Sequence, residues 1–396
     1  MRHRTTATTL LLTAALLAAA APARAQSVPP PGTQAAQAQA AQAAQARTWR
    51  TDPFPAGEAT VRSAARVGGR TTWALGSRTV GEGREQTSVD VAYTRDGADG
   101  PWRELALPAG VDGTTVTPDG SGGTWVTGSR QGGSVSVSRY RAGRWQTQEA
   151  PLPAHALGGG LNGFATAGSP DDVWAVGYYQ PDDYLTFYGV IDHWDGKAWQ
   201  QVPTPDLGTD YWTLSAVVAN SPSDVWASGN VGNEDGWPRP LLLHYDGRSW
   251  SRAATPQLDT RPGEFTNLVA AGPDDIWAAG AEIGPSHRDE PTVAHYDGHS
   301  WTYQETGIDA GRLYGLVRTP NGVAVVGASL TDSVYRPTGA QLTRRGWEPL
   351  DIPQSTTSGG RRPVGIVSTA GRLTVIGTDY SGTDGEQVEA PFSLTR

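Results

Sequence analysis

The sequence predicts an all-β protein, specifically a seven-bladed β-propeller that closes by pairing its N-terminal strand with the C-terminal blade. Three observations support this fold class. A short pattern returns about every fifty residues, convincing amphipathic helix periods are missing, and the last repeat lacks a strand that the N-terminus supplies. Short strand-like runs rich in Gly, Trp, Val and Thr alternate with turn signals, as is typical of all-β chains.

The repeat is centred on a tryptophan in a short apolar strand. The stretch SPDDVWAVGYY (169–179) returns as SPSDVWASGN (221–230) and as GPDDIWAAGAE (272–282). Seven copies, called modules 1 to 7 from here on, carry this anchor at Trp73, Trp125, Trp174, Trp226, Trp277, Val325 and Val375. Consecutive anchors are 48 to 52 residues apart, and a period of this size indicates a propeller or a related repeat array.

A second tryptophan, placed after a turn, marks the outer strand of each module. Six modules carry it within their own sequence, at Trp102, Trp145, Trp199, Trp250, Trp301 and Trp347. The seventh copy, Trp49, precedes module 1. A module therefore comprises strands a, b, c and d, and residues 48–55 are predicted to supply strand d to the module formed by 361–396. Because such pairing removes open sheet edges, the offset favours a closed ring over a linear stack.

The turns between strands have sequence signals of their own. SPDD and SPSD place proline in a type I turn between strands a and b. WDGK, YDGR and YDGH place Asp-Gly between strands c and d, which is a strong hairpin signal. Strand b is apolar on both faces, as expected where a sheet packs against a neighbour on each side. We therefore expect the recurring tryptophans to fill the space between blades.

The N-terminus has the features of a secretory signal peptide over residues 1–25. The basic MRHR is followed by an apolar run and by a small-residue site that ends at Ala25. We expect cleavage after about Ala25 and a secreted, extracellular protein. Residues 26–47 form a low-complexity spacer rich in Pro, Ala and Gln, and the propeller is expected over 48–396.

Composition limits the classes of partner. The formal net charge is −9, and the missing basic patch argues against nucleic acid and against anionic membrane surfaces. No segment after residue 25 has the length and apolarity for membrane insertion. The chain has no cysteine, so a large core rather than disulfides must stabilise a secreted fold.

The pattern DVWAVG, a gap, then HWDGKAW and a terminal proline resembles the kelch-type repeats of galactose oxidase-like propellers. It is more similar still to the DVWAVG…HWDGxxW repeats of secreted proteins from high-GC actinobacteria, a source that the arginine-over-lysine bias also fits. The resemblance covers residues 48–396. Kelch repeats have two glycines after strand b, whereas the modules here have a single one, Gly177, Gly229 or Gly280. Galactose oxidase-like enzymes use a copper centre that needs a cysteine, so this chain cannot form it, and we predict no cofactor.

Three histidines, His193, His244 and His295, occupy the same place in consecutive modules. Three histidines can bind a metal, but equivalent positions are distributed around a ring, so we predict local hydrogen bonds near the c–d turns and no metal site. The loops NVGNEDG (230–236) and DYSGTDGE (379–386) are rich in oxygen ligands, yet neither matches a complete calcium loop. The sequence has no recognised catalytic motif, and no catalytic residue is predicted.

A ligand site is expected on the face of the b–c and d–a loops, called the loop face. The a–b and c–d turns of the opposite side, the turn face, are short and uniform, whereas variation and function usually concentrate in longer loops. Aromatic rings stack on the C–H faces of sugars, and carboxylates accept hydroxyl hydrogen bonds. Candidate ligand-binding residues, all in the loops of modules 3 to 5, are Tyr179, Asp182, Asp183, Tyr184, Tyr211, Trp212, Glu234, Asp235 and Trp237.

These observations favour a secreted, monomeric, non-enzymatic propeller that binds an extracellular ligand, with carbohydrate preferred. Alternatives remain open. Asp182, Asp183, Glu234 and Asp235 are placed to serve a polysaccharide hydrolase or lyase, and the same surface suits an extracellular protein partner. A further alternative is that the aromatic residues only cover the blade ends while the acids keep the surface soluble.

Overall fold

Twenty-nine β-strands build the described part of the chain, within a unit that spans Trp49–Arg396. This computed structural model describes residues 48–396 except 82–84, 109–110, 112, 128, 132–133, 182–185, 233–235, 255–260, 285 and 383–387. Across those described residues, we find no helix that is both long enough and apolar enough to traverse a bilayer. The architecture is that of an all-β propeller, in which each module runs outward from strand a to strand d.

The inner two strands of every module are antiparallel neighbours. Strand a is β2 (Thr60–Val67), β6 (Thr115–Pro118), β11 (Gly158–Thr166), β15 (Trp212–Ser221), β19 (Gly263–Gly272), β23 (Arg312–Thr319) and β27 (Gly360–Thr369). Strand b is β3 (Thr71–Val80), β7 (Thr124–Thr127), β12 (Val173–Gln180), β16 (Asp224–Val231), β20 (Asp275–Ile283), β24 (Gly322–Thr331) and β28 (Arg372–Ser381).

The outer two strands continue the same antiparallel order. Strand c is β4 (Thr87–Asp96), β9 (Ser134–Arg141), β13 (Tyr188–Trp194), β17 (Arg239–Tyr245), β21 (Asp289–Tyr296), β25 (Val334–Thr343) and β29 (Val388–Thr395). Strand d is β5 (Arg103–Leu105), β10 (Arg144–Pro151), β14 (Trp199–Gln201), β18 (Trp250–Arg252), β22 (Trp301–Tyr303), β26 (Gly346–Pro349) and, for module 7, β1 (Arg50–Thr51). The remaining strand, β8 (Ser129–Gln131), leaves module 2 and pairs with the Gly158–Gly160 end of β11.

Counted as hydrogen-bonded sheets, the described residues give five separate blades and one eight-stranded sheet rather than the seven blades predicted. Modules 1 to 5 are the separate blades. Modules 6 and 7 merge because β25 and β27 meet through a parallel pairing of Tyr335 with Gly360. Gly360 has φ of 78°, and a Cβ there would collide with the Tyr335 carbonyl. Glycine therefore permits an approach between these two strands that any other residue would block.

The two ends of the chain meet in the last module, at the place predicted from the repeat offset. Strand β1 pairs antiparallel with β29, with Arg50 opposite Thr395. Beyond it, the Asp52 N–H donates to the Ser393 carbonyl at 2.9 Å. The Trp49 indole donates to the Leu350 carbonyl at 3.0 Å. The N-terminal strand thus completes the outer edge of the C-terminal module.

The core lies between modules and follows one rule. The strand-b tryptophan of a module meets the strand-d tryptophan of the next module edge to face, with ring centroids 5.4 to 6.1 Å apart. The pairs are Trp73 with Trp145, Trp125 with Trp199, Trp174 with Trp250, Trp226 with Trp301, and Trp277 with Trp347. This is the geometry that aromatic quadrupoles favour. The expectation that tryptophans fill the space between blades is therefore confirmed.

Candidate functional site

The loop face of module 3 is covered by aromatic rings, one of which is the predicted site residue Tyr179. Tyr179, at the end of β12, stacks on Tyr188 with centroids 5.5 Å apart, and His155 packs edge-on at 5.7 Å. Burial, together with the nearby Tyr188 hydroxyl, raises the pKa of the Tyr179 hydroxyl. Tyr179 is half-buried, so it supports this surface and offers only part of its ring to a ligand.

A second aromatic group joins two loops of the same face. Phe187, before β13, lies with its centroid 5.8 Å from Tyr178 and 5.5 Å from Tyr211. A short parallel bridge pairs Phe187 with Tyr211, and the Trp212 N–H donates to the Phe187 carbonyl at 2.8 Å. Tyr211 is nevertheless 39% exposed. Its ring is thus held in place by the backbone while one side faces solvent.

Trp212 does not belong to this surface, so its assignment as a ligand-binding residue is wrong. It is only 3% exposed and packs in the core with Leu214 and Leu241. A Cβ on Gly189 would overlap its ring. Trp212 opens β15, and successive side chains of a strand point to opposite faces. Tyr211 therefore faces outward and Trp212 inward.

Trp237, in the b–c loop of module 4, is the exposed tryptophan of this protein. All fifteen tryptophans lie in described residues, and Trp237 is the most exposed at 43%. The His287 ring lies 6.1 Å from it, and Arg239 donates to its carbonyl at 3.4 Å. The other predicted residues, Asp182, Asp183, Tyr184, Glu234 and Asp235, lie outside the described residues.

Three described carboxylates of module 5, on the side of Trp237, are held in ion pairs, whereas Asp206 and Asp210 beside Tyr211 are exposed. Arg312 contacts Glu264 and also Asp289, the latter at 3.1 Å. Arg261 pairs with Glu282 at 3.0 Å. Glu282 is 1% exposed, and burial raises its pKa although Tyr303 donates to it and Arg261 lies beside it. Glu264 and Asp289 join module 5 to Arg312 of module 6, and Glu282 joins strand b of module 5 to Arg261 in the loop that precedes the module.

The three equivalent histidines form local contacts, as predicted, but their partner is an aspartate that was not among the predicted residues. Each Nε2 lies 2.8 to 2.9 Å from an aspartate at or just before the start of strand b in its own module: His193 with Asp172, His244 with Asp224, and His295 with Asp275. Each ring also packs on the strand-b tryptophan, with centroids 4.1 to 4.6 Å apart. The repeated Asp-x-Trp was the signal for this contact. The part of the chain described here has no cluster of three or more metal-ligating side chains.

A central channel, for which the sequence carries no direct signal, runs along the inner strands of all seven modules. Its volume is about 830 Å³. Six inner strands carry a register shift at the same place, and the extra residue lines the channel; these residues are Arg62, Asn162, Ser215, Thr266, Tyr314 and Val364. Bulges commonly re-aim a side chain in this way.

Some bulge side chains connect neighbouring modules. Asn162 donates to the Leu214 carbonyl at 2.7 Å, and Thr266 donates to the Leu313 carbonyl at 3.4 Å. In both cases the acceptor belongs to the next inner strand. These residues recur at a regular spacing in the sequence, which could have indicated a shared role. The bulge that turns them toward the channel is visible only in the pairing of the folded sheet.

Neither a family model nor a curated protein matches the chain. Among solved structures, it is similar to a catalytically inactive virginiamycin B lyase from Staphylococcus aureus with quinupristin, at a TM-score of 0.55 and 13% identity over 88% of this chain and 99% of that one. It is also similar to an acylaminoacyl peptidase of Pyrococcus horikoshii, at a TM-score of 0.51 and 10% identity over 84% of this chain and 52% of that one.

A third similar structure is the β-propeller domain of the Trilobed protease from Pyrococcus furiosus, which has an open velcro topology. The TM-score is 0.50, with 7% identity over 87% of this chain and 96% of that domain. At such low identities these similarities establish the propeller fold alone.

Proposed function

We propose that this protein is a secreted propeller that binds an extracellular glycan on the loop face of modules 3 to 5. The observation that carries the proposal is the exposure of Tyr211 and Trp237 on neighbouring loops, at 39% and 43%. Other tryptophans are packed between modules or are partly buried. Exposed rings that the fold holds in place suit the apolar C–H face of a sugar.

Binding is preferred over catalysis because the described acids of module 5 next to Trp237 are already paired, which leaves Asp206 and Asp210 as the described, exposed acids of the loop that carries Tyr211. Glu264 and Asp289 both pair with Arg312. Glu282 pairs with Arg261 and accepts a hydrogen bond from the Tyr303 hydroxyl. A glycosidase needs two carboxyl groups with separated pKa values and access to substrate. These three carboxylates are held by arginines and therefore stabilise the fold.

Two further parts of the proposal concern the number of blades and the secretion of the protein. Modules 6 and 7 are proposed to act as two blades joined edge to edge, which gives seven blades around the channel.

Residues 1–25 are proposed to direct secretion. The mass and N-terminal sequence of the protein recovered from culture medium test this, with Gln26 expected as the first residue.

A binding screen of the purified protein against glycans and polysaccharides tests the main proposal. We expect saturable binding that Trp237→Ala and Tyr211→Ala each weaken about tenfold, the scale of one well-packed aromatic contact. Leu330→Ala is the matched control, because Leu330 is 60% exposed in the b–c hairpin of module 6 on the same face. The control should bind like the unmodified protein.

The outcomes separate the alternatives. Equal effects of Leu330→Ala and Trp237→Ala would contradict a site in modules 3 to 5. Shortened or unsaturated products from a bound polysaccharide would indicate an enzyme. A screen without binding would remove the carbohydrate preference and favour a protein partner.

A further inference from the structure

The central channel differs in charge from the rest of the molecule. The chain carries 40 Asp and Glu against 31 Lys and Arg, so an acidic lining would be expected by composition. The described residues that line the channel nevertheless include three arginines, Arg62, Arg66 and Arg318, and no Asp or Glu. A concave site lined by one sign of charge focuses the field and concentrates ligands of the opposite sign.

Arg66 and Arg318 occupy equivalent positions in the repeat. Each lies four residues after the bulge of its inner strand, Arg66 on β2 and Arg318 on β23. Strand β27 packs between these two strands, and its equivalent residue is Ser368. All three residues line the turn-face end of the channel. The strand positions of Arg66 and Arg318 therefore lie on either side of Ser368 at the same depth of the channel, and the Arg318 side chain reaches toward Ala270 of β19.

Neither guanidinium is paired with a described carboxylate. Arg318 Nη1 donates to the Ala270 carbonyl at 3.2 Å, and Arg66 has no described ion pair. Arg62 differs, since it contacts Asp90 and donates to the Gly113 carbonyl at 3.2 Å. Arg62 therefore joins modules 1 and 2, whereas Arg66 and Arg318 keep their charge available to a ligand.

A second cavity adjoins Arg66 on the turn face. Its volume is about 620 Å³, and Arg66 is its one charged described residue; the others are Gly68, Gly69, Pro118, Gly120, Ser121 and Gly122. Arg66 thus stands between two spaces whose described walls have no carboxylate. Glycine-rich turns leave room for a ligand beside the guanidinium.

We propose that the turn-face end of the channel binds a small oxyanion, such as phosphate, sulfate or a carboxylate, between Arg66 and Arg318. Guanidinium groups present paired N–H donors that match the oxygens of these anions, and the Ser368 hydroxyl can donate a further hydrogen bond. The anion is either free or an acidic group on a sugar. The site lies on the side of the ring opposite Trp237 and is independent of the proposed glycan surface.

Calorimetric titration of the full protein with inorganic sulfate and with inorganic phosphate tests this site, at an ionic strength held constant with sodium chloride. We expect binding that Arg66→Ala and Arg318→Ala each weaken about tenfold, as the loss of a charge-assisted hydrogen bond implies. Arg103→Ala is the matched control, because Arg103 is an exposed arginine on the outer strand β5. It should leave binding unchanged, and so should Trp237→Ala.

Titrations with a hexose 6-phosphate and with galacturonic acid identify the source of the anion. Tighter binding of either sugar than of the inorganic ions, with the same dependence on Arg66, would indicate an acidic glycan. Equal or weaker binding would indicate a free ion. The proposal is overturned if neither inorganic ion binds below about 10 mM, or if Arg66→Ala and Arg318→Ala bind like Arg103→Ala.

Discussion

The carboxylate of Asp52 lies 2.9 Å from the guanidinium of Arg95, across the seam where the two ends of the chain meet. Asp52 follows β1, and Arg95 belongs to β4 of module 1. The Arg95 side chain is 1% exposed, and its Nη1 also donates to the Thr395 hydroxyl at 3.2 Å. Thr395 in turn donates to Asp52 at 2.5 Å. One buried ion pair thus joins the N-terminal strand, the C-terminal strand and the first module.

Replacing Asp52 should open this seam. Asp52→Asn leaves the buried Arg95 guanidinium without its counter-charge, and we expect a loss of about 3 kcal/mol in the free energy of unfolding. Urea denaturation followed by tryptophan fluorescence measures it. The control is Asp99→Asn, because Asp99 bridges Arg50 and Arg372 at the exposed surface. Equal midpoints for the two variants would show that the buried pair does not stabilise the closure.

A second buried ion pair lies within module 2, and its arginine also reaches module 3. Asp119 is 0% exposed, and Arg139 Nη2 lies 3.0 Å from its carboxylate. Arg139 also donates to the Pro170 carbonyl of module 3 at 3.1 Å and covers the Trp125 ring at 4.9 Å. We expect Asp119→Asn to cost about 3 kcal/mol at pH 7, because it removes the buried partner of the Arg139 guanidinium and leaves only the exposed Asp171 carboxylate, 3.3 Å away, as counter-charge.

The pH dependence of this variant gives a second readout. Burial raises the pKa of Asp119, but hydrogen bonds from Ser121, Gly123 and Arg139 outweigh it, and the net pKa is lowered. A carboxyl group with a lowered folded pKa contributes stability above its unfolded pKa and loses it as pH falls through the folded value. The difference between Asp119→Asn and the unmodified protein should therefore shrink below about pH 4. A constant difference down to pH 2 would contradict this account.

Local sequence signals predicted those parts of the fold that depend on neighbouring residues. The Asp-Gly turns are one example. The Asp195 carboxylate accepts hydrogen bonds from the N–H groups of Lys197 and Ala198 at 2.9 and 3.0 Å, and this contact involves only residues within three positions of each other. The repeat offset predicted the pairing of β1 with β29 for a similar reason. A count of strands per module shows which edge is missing a partner, even when the two ends are far apart in sequence.

Features that depend on non-local register were not predictable in this way. Tyr211 and Trp212 are adjacent aromatics, and only the pairing of β15 with β16 decides which of them faces the core. The parallel contact of Tyr335 with Gly360 depends on how two modules approach each other. The channel arginines were missed because Arg66 and Arg318 are far apart in the chain, and only the bulge of each inner strand turns them to a common space.

Gly189 should be sensitive to a single methyl group. A Cβ at this position of β13 would overlap the Trp212 ring, which fills the core between modules 3 and 4. We expect Gly189→Ala to destabilise the protein by about 2 kcal/mol, as overpacking of a dense core does. Gly272→Ala is the matched control, since it has no heavy atom within 4 Å of an added Cβ. If the two variants unfold at the same urea concentration, Trp212 is less tightly enclosed than its contacts indicate.

Asp192 should make the protein less stable as pH rises. It is 0% exposed on β13, its two carboxylate oxygens have no hydrogen-bond partner among the described residues, and burial raises its pKa to about 8. Its neighbours on the same face of β13, Val190 and Trp194, pack in the core between modules 2 and 3. The equivalent residue of module 4 is the buried Leu243.

The sign of the effect follows from proton linkage. The native state holds the Asp192 proton up to about pH 8, whereas the unfolded chain releases it near pH 4, so stability is greatest below pH 4 and falls between these values. Each pH unit in that window costs about 1.4 kcal/mol. Asp192→Asn and Asp192→Leu remove the titration, and we expect each to gain about 3 kcal/mol relative to the unmodified protein between pH 5 and pH 7. Urea unfolding at pH 5, 6 and 7 measures the change, and parallel pH profiles for all three proteins would mean that Asp192 is ionised in the fold.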